Sequence, residues 1–208
     1  CEGGTIPDLF AAGALPTWYT DAALTNQVFQ GNSFATGQTA VGSYTYYVTE
    51  TWNGCEGAAA IITLTIYALP PSPVAANQTA CEGGVIPNLT ATGTSLVWYN
   101  DPSLSSASQV GTGTSFATGQ TAAGVYTYYV TQDDGSCESN ASTVTLTIYA
   151  LPPSPSAVNE IACVGGVIPD LTATGTSLVW YNDPSLSSAS QVGTGTSFAT
   201  GQTAAGVY

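Results

Sequence analysis

The chain has no lysine, arginine, histidine or methionine among its 208 residues, and thirteen Asp and Glu leave a formal charge of −13. The missing cations remove whole classes of function. Nothing in the sequence can neutralise a phosphate, which argues against nucleic acid and anionic membrane surfaces as partners. Side-chain salt bridges cannot form, trypsin has no cleavage site, and a lysine-dependent isopeptide crosslink is impossible. No serine has a base to activate it, so no catalytic residue is expected. Long apolar runs are missing too: "AAAIITLTIYAL", from Ala58 to Leu69, is too short and too rich in threonine to span a bilayer. With no His and no CxxC spacing, neither a metal site nor a cofactor is expected. Charged residues make up only 6% of the chain, but 44% is hydrophobic, enough for packed cores, and Thr, Ser, Asn and Gln supply the wet surface.

What is present is repetition. "CEGG" at Cys1, "CEGG" at Cys81 and "CVGG" at Cys163 open three similar passages, with periods of 80 and 82 residues. Between Cys81–Tyr126 and Cys163–Tyr208 only Glu82/Val164 and Asn88/Asp170 differ. The expected organisation is a first repeat over 1–69, a Pro-rich linker over 70–73, a second repeat over 74–151, a second linker over 152–155 and a truncated third repeat over 156–208. Such a chain reads as a window on a longer tandem array.

Five cysteines fall into phase with that period. Cys1 groups with Cys55 and Cys81 with Cys137, while Cys163 awaits a partner beyond the window. Pairing within each repeat, Cys1–Cys55 and Cys81–Cys137, would close loops worth roughly 4 kcal/mol of chain entropy. Counting leaves one rival open, Cys55 with Cys81 across a junction; the in-repeat staple repeats more simply. Either way, disulfides imply an oxidising, extracellular setting.

Period two dominates the hydrophobic pattern. Val144, Leu146 and Ile148 alternate with Thr143, Thr145, Thr147 and Tyr149, and Ile62, Leu64 and Ile66 repeat the pattern. In "GVYTYYVT", Tyr126, Tyr128 and Val130 face one way; Leu96 and Trp98 share a face before an Asn100-Asp101-Pro102 turn. Many short strands with no helical period predict an all-β fold of antiparallel β-sandwiches. The connector "ALPPSP" predicts a stiff, extended spacer between repeats, hence an elongated array.

These residues together, a Cys ahead of an early strand, "WY" in mid-repeat, "G-x-Y-T-Y-Y-V-T", then "GC" or "SCES" before a Thr-alternating strand ending in "P-P-x-P", resemble a known family. They are similar to the Ig-like repeats of large secreted or surface proteins of gliding and related Bacteroidetes, often found beside type IX secretion sorting domains. The resemblance implies tandem Ig-like sandwiches and export to the cell surface, with a role as stalk, adhesin segment or spacer. It also implies a tyrosine corner at Gly42-Ser43-Tyr44 and Gly124-Val125-Tyr126. The second Cys departs from the antibody pattern: Tyr46 and Tyr128 stand two residues after the corner Tyr, and Cys55 and Cys137 come later. An in-repeat bridge would therefore tie the first segment of a repeat to its last strand. "PVAANQTA" and "PSAVNEIA" are expected to form first strands, and such a strand for the first repeat would lie outside the window, to be supplied from upstream or by a neighbour.

The resulting expectation is a structural or interaction protein, a repeat segment of an extracellular filament, stalk or cell-surface adhesin. Its expected partners are neighbouring repeats of the same chain, further copies through Thr-rich edges without lysine protection, and surface glycans. Two alternatives stand beside it, a glycan-binding module and spacer domains of a larger secreted enzyme. For glycan contact the candidate is Trp52, on a predicted hairpin tip within Glu50–Gly54, whereas Trp18, Trp98 and Trp180 sit where core residues belong. Asp133 and Asp134 correspond to Thr51 and Trp52 of the first repeat, so paired-carboxylate chemistry would not be shared, and "QDDGSCES" reads as a solvated loop.

Overall fold

The computed structural model describes residues 1–207. It divides into two compact units, Cys1–Ala150 and Leu151–Tyr208. Apart from two single-turn 3₁₀ segments, the named elements are strands.

The first repeat contributes β1 (Leu9–Phe10), β2 (Pro16–Tyr19), β3 (Gln27–Gln30), β4 (Ser33–Phe34), β5 (Gly42–Trp52), β6 (Cys55–Glu56) and β7 (Ala60–Ile66). β1 pairs with β4, while β3, β2, β5 and β7 form the opposing sheet, with β6 added at the far end of β5. Between the sheets lie Trp18, Phe34, Tyr46, Val48, Leu64 and Ile66.

The second repeat has the same plan with its first strand present. It contains β8 (Val74–Ala76), β9 (Gln78–Cys81), β10 (Leu89–Thr92), β11 (Val97–Tyr99), β12 (Gln109–Thr112), β13 (Ser115–Phe116), β14 (Gly124–Thr131) and β15 (Ser142–Tyr149). One sheet runs β13-β10-β8 and the other β12-β11-β14-β15-β9, all antiparallel except that β9 lies parallel to β15. The first strand thus switches sheets at Asn77, whose side-chain oxygen accepts a hydrogen bond from the Thr145 amide at 2.9 Å. Alternation explains the core: Leu89, Ala91, Leu96, Trp98, Tyr128, Val130, Val144, Leu146 and Ile148 are buried, while Thr143 and Tyr149 of β15 and Val125 and Thr127 of β14 face out. At the corner, the Tyr44 hydroxyl donates to the Ala40 carbonyl at 2.9 Å, and Tyr126 does the same to Ala122 at 3.0 Å.

The proline connector is fastened down. Pro73 is buried, the Gln132 side-chain amide donates to the Pro71 carbonyl at 2.6 Å, and the Ser142 hydroxyl donates to the Pro73 carbonyl. The Gln132 oxygen in turn accepts from the Thr94 amide at 2.9 Å, so one buried side chain ties the connector to the loop between β10 and β11.

The second unit carries β16 (Ser156–Ala157), β17 (Leu171–Thr174), β18 (Val179–Tyr181), β19 (Gln191–Thr194) and β20 (Ser197–Phe198). Its β18–β19 register matches β11–β12 pair for pair, including the bulge after the tryptophan. Trp180 is half-buried, stacked on Phe198 at 5.6 Å, with its indole N–H donating to Gly195.

Candidate functional site

The candidate site is built on the hairpin that carries the second cysteine of each repeat. In the first repeat β5 runs on to Trp52 and turns through Asn53 and Gly54, both at positive φ (50° and 80°), so that Trp52 faces Cys55 and Thr51 faces Glu56. Asn-Gly is the pair a two-residue turn of this hand favours, because both central residues must enter the left-handed region. The second repeat reaches the same register by other means. Asp133 bridges Glu138, and the Asp134 carboxylate accepts the amides of Ser136 and Cys137, each at 2.9 Å. The Cys137 amide foremost, and then that of Ser136, hold the Asp134 carboxyl below the usual aspartate range.

The residue after each of these cysteines is a clamp. Glu56 Oε1 accepts from the Thr49 hydroxyl at 2.6 Å and the Tyr19 hydroxyl at 2.7 Å. Glu138 Oε1 accepts from Thr131 at 2.6 Å and Tyr99 at 2.8 Å. The bond from Thr49, and then that from Tyr19, lower the Glu56 pKa. The Tyr19 hydroxyl is raised, first by its bond to Glu56 and then by burial; for Tyr99 burial comes first and the bond to Glu138 second. Each hairpin is thereby anchored onto the strand pair behind it, which fixes where its cysteine points. Sequence reasoning missed this pair of glutamates. The available signal was Glu at a constant offset after the hairpin cysteine, at 56 and again at 138, whereas Asp133 and Asp134 had no counterpart.

The cysteines do not pair within repeats. Cys1 bonds to Cys137, 136 positions along the chain with Cα atoms 5.8 Å apart, while Cys55, Cys81 and Cys163 are exposed free thiols. The expected Cys1–Cys55 and Cys81–Cys137 bridges are replaced by one bridge between the first repeat and the second, and the rival Cys55–Cys81 bridge is not formed either. Strand direction supplies the reason. β9 runs parallel to β15 and sets Cys81 opposite Tyr149, at the end of β15, whereas Cys137 precedes its start at Ser142. Those ends lie about 23 Å apart at ~3.3 Å per residue, far beyond the ~7 Å that a disulfide spans between Cα atoms. The first repeat has the same geometry: the Glu2 amide donates to the Tyr67 carbonyl at 2.9 Å, as Glu82 does to Tyr149 at 2.8 Å, so Cys1 sits beyond the end of β7 while Cys55 precedes its start.

Trp52 lies where the sequence placed it, at the hairpin tip and 69% exposed. Trp18 and Trp98 are fully buried, each with its indole N–H donating to a glycine carbonyl, Gly31 and Gly113, at 2.8 Å. Among the described residues no three acidic or cysteine side chains are gathered in a way that could hold a metal ion, and no helix is long and apolar enough to cross a membrane.

Residues 70–149 match the family described as Ig-like domain, CHU_C associated. The match coincides with β8 to β15, whose two facing sheets are Ig-like in fold. A comparison with curated proteins gives no match. A fold of this kind is consistent with a structural or interaction module.

Proposed function

We propose that the chain is a structural and interaction segment of an extracellular filament, stalk or cell-surface adhesin, built from Ig-like repeats and carrying no catalytic centre of its own. The supporting observation is the Cys1–Cys137 bridge, which ties one repeat to the next at a junction already spanned by the proline connector. A second covalent link across a connector restricts bending. That restriction serves reach and alignment, and gives nothing to turnover. The bridge also suits an oxidising location at or outside the cell surface. Electron microscopy of the purified chain tests the reading. Thin, beaded particles that bend more after reduction are expected; compact globules would overturn it.

A second reading is glycan binding, favoured by one observation: the exposed indole of Trp52 on a hairpin tip, a geometry that can stack on a sugar ring. Binding on a glycan array that disappears in Trp52→Ala would support it, and no binding by the intact chain would remove it.

A further inference from the structure

Asn53 is the one asparagine of the chain that glycine follows, and it stands in the tight turn between β5 and β6. Asparagine is among the thermolabile residues, and its loss begins when the next backbone nitrogen attacks the side-chain carbonyl carbon. Glycine presents that nitrogen with no Cβ in the way. Asn53 and Gly54 are both exposed, and among the described residues neither the Asn53 side chain nor the Gly54 amide has a hydrogen-bond partner. Water reaches the carbonyl, and no competing bond occupies the nitrogen.

The second repeat has a related pair on the matching hairpin, Asp134-Gly135, with the opposite provision. The Gly135 amide donates to Asp133 Oδ1, and Asp134 Oδ1 accepts from the Ser136 and Cys137 amides. The nitrogen is engaged, and the carboxylate is kept in its ionised form, which has no good leaving group. This hairpin also shows that the tip stays open to solvent beside a bonded repeat. Gly135 and Ser136, which stand where Asn53 and Gly54 do, remain exposed although Cys1 is bonded to Cys137 and touches the Ser136 carbonyl.

We propose that Asn53-Gly54 is a self-modifying site, where the hairpin tip of the first repeat converts in water, without an enzyme, to an aspartyl and chiefly an isoaspartyl linkage. The Gly54 nitrogen forms a bond to Asn53 Cγ, the Cγ–N bond of the amide breaks, and the amide nitrogen leaves as ammonia with the Gly54 proton. Water then opens the succinimide. Attack at the side-chain carbonyl leaves an ordinary aspartate, and attack at the backbone carbonyl passes the chain through Cβ. In either case one amide and one water become one carboxylic acid and one ammonia, and the chain adds a negative charge to its −13. The isoaspartyl form puts an extra methylene into a turn whose register allows two residues. The Trp52–Cys55 pair should open, while Thr51–Glu56 behind it stays held by the bonds from Thr49 and Tyr19 to Glu56.

The test is incubation of the full chain in warm, mildly alkaline buffer, followed by mass-spectrometric peptide mapping and labelling with an isoaspartyl methyltransferase. Asn53 is expected to be lost before any other asparagine, with isoaspartate as the larger product and ammonia released in step. The Asp134-Gly135 peptide should keep its ordinary linkage over the same interval. In Asn53→Gln, whose longer side chain closes the ring slowly, the methyltransferase label and the early ammonia should both disappear. Another asparagine reacting first would overturn the proposal, and so would Asn53 persisting in the folded chain long after its loss from the urea-unfolded one. Isoaspartate forming at Asp134 as fast as at Asn53 would overturn it too, because hydrogen bonding of the glycine amide would then decide nothing.

Discussion

Beside the buried tryptophan, the two repeats solve the same packing problem differently. In the second, Trp98 stacks on Phe116 at 5.5 Å, and Gly111, its partner on β12, leaves room for that ring. A methyl group on Gly111 would come within 2.7 Å of the Phe116 ring. In the first, the partner of Trp18 is Phe29, which stacks on Phe34 at 5.3 Å, while Phe34 lies tilted against the indole. Gly111→Ala is therefore expected to destabilise the second repeat by about 1–3 kcal/mol through overpacking, measured as a lowered urea midpoint. The glutamate clamp gives a second expectation at this scale. Glu138→Ala removes the acceptor of both the Tyr99 and Thr131 hydroxyls and releases the hairpin behind Cys137. Thiol titration of the native protein should then exceed the three free cysteines of the parent chain, because the Cys1–Cys137 bond forms less completely.

Strands and hairpins divide into what the sequence could say and what it could not. The alternation of β14 and β15 was legible residue by residue, because facing in or out is decided by the neighbour two positions away. The tyrosine corner was legible only through the family resemblance, and its bond reaches four residues back. Tyr126→Phe should cost about 1 kcal/mol, the net worth of an ordinary hydrogen bond, and equilibrium denaturation would read it. The cysteine partners were not legible. In-repeat pairing assumed that cysteines sharing a period share a neighbourhood, yet the parallel pairing of β9 with β15 sends Cys81 to one end of the sheet and leaves Cys137 at the other. Strand direction is a non-local property, and nothing in the spacing of cysteines records it. The attachment of the Pro-rich connector to Gln132 and Ser142 was not legible, since these are two uncharged polar residues among many.

For the whole molecule, the missing cations set how stability responds to pH and salt. The carboxyls of Asp21, Glu56, Asp101, Asp134 and Asp183 are lowered in the fold, chiefly by hydrogen bonds from neighbouring hydroxyls and amides. A group lowered in the folded state contributes stability above its unfolded pKa and loses it as pH falls through the folded value. Tyr19 and Tyr99 are raised, so their contribution is complete below the unfolded tyrosine pKa of about 10 and is lost as pH climbs through the folded value. With no histidine to titrate between them, the melting temperature should hold nearly constant from about pH 5 to 7, then fall on both the acid and the strongly alkaline sides. Added salt at neutral pH should raise it, because screening weakens the mutual repulsion of thirteen acids and there are no attractive pairs to weaken.

The sheet change at Asn77 carries a mechanical consequence. Since β9 lies parallel to β15, pulling on the two ends of the second repeat slides these strands along each other, and the β9–β15 ladder from Gln78–Leu146 to Cys81–Tyr149 resists together. An antiparallel hairpin drawn from its open end surrenders its bonds one after another. In a force spectrometer, with the Cys1–Cys137 bond reduced so that load enters through the connector and β9, the domain should accordingly yield in a single abrupt event, in shear and not by peeling.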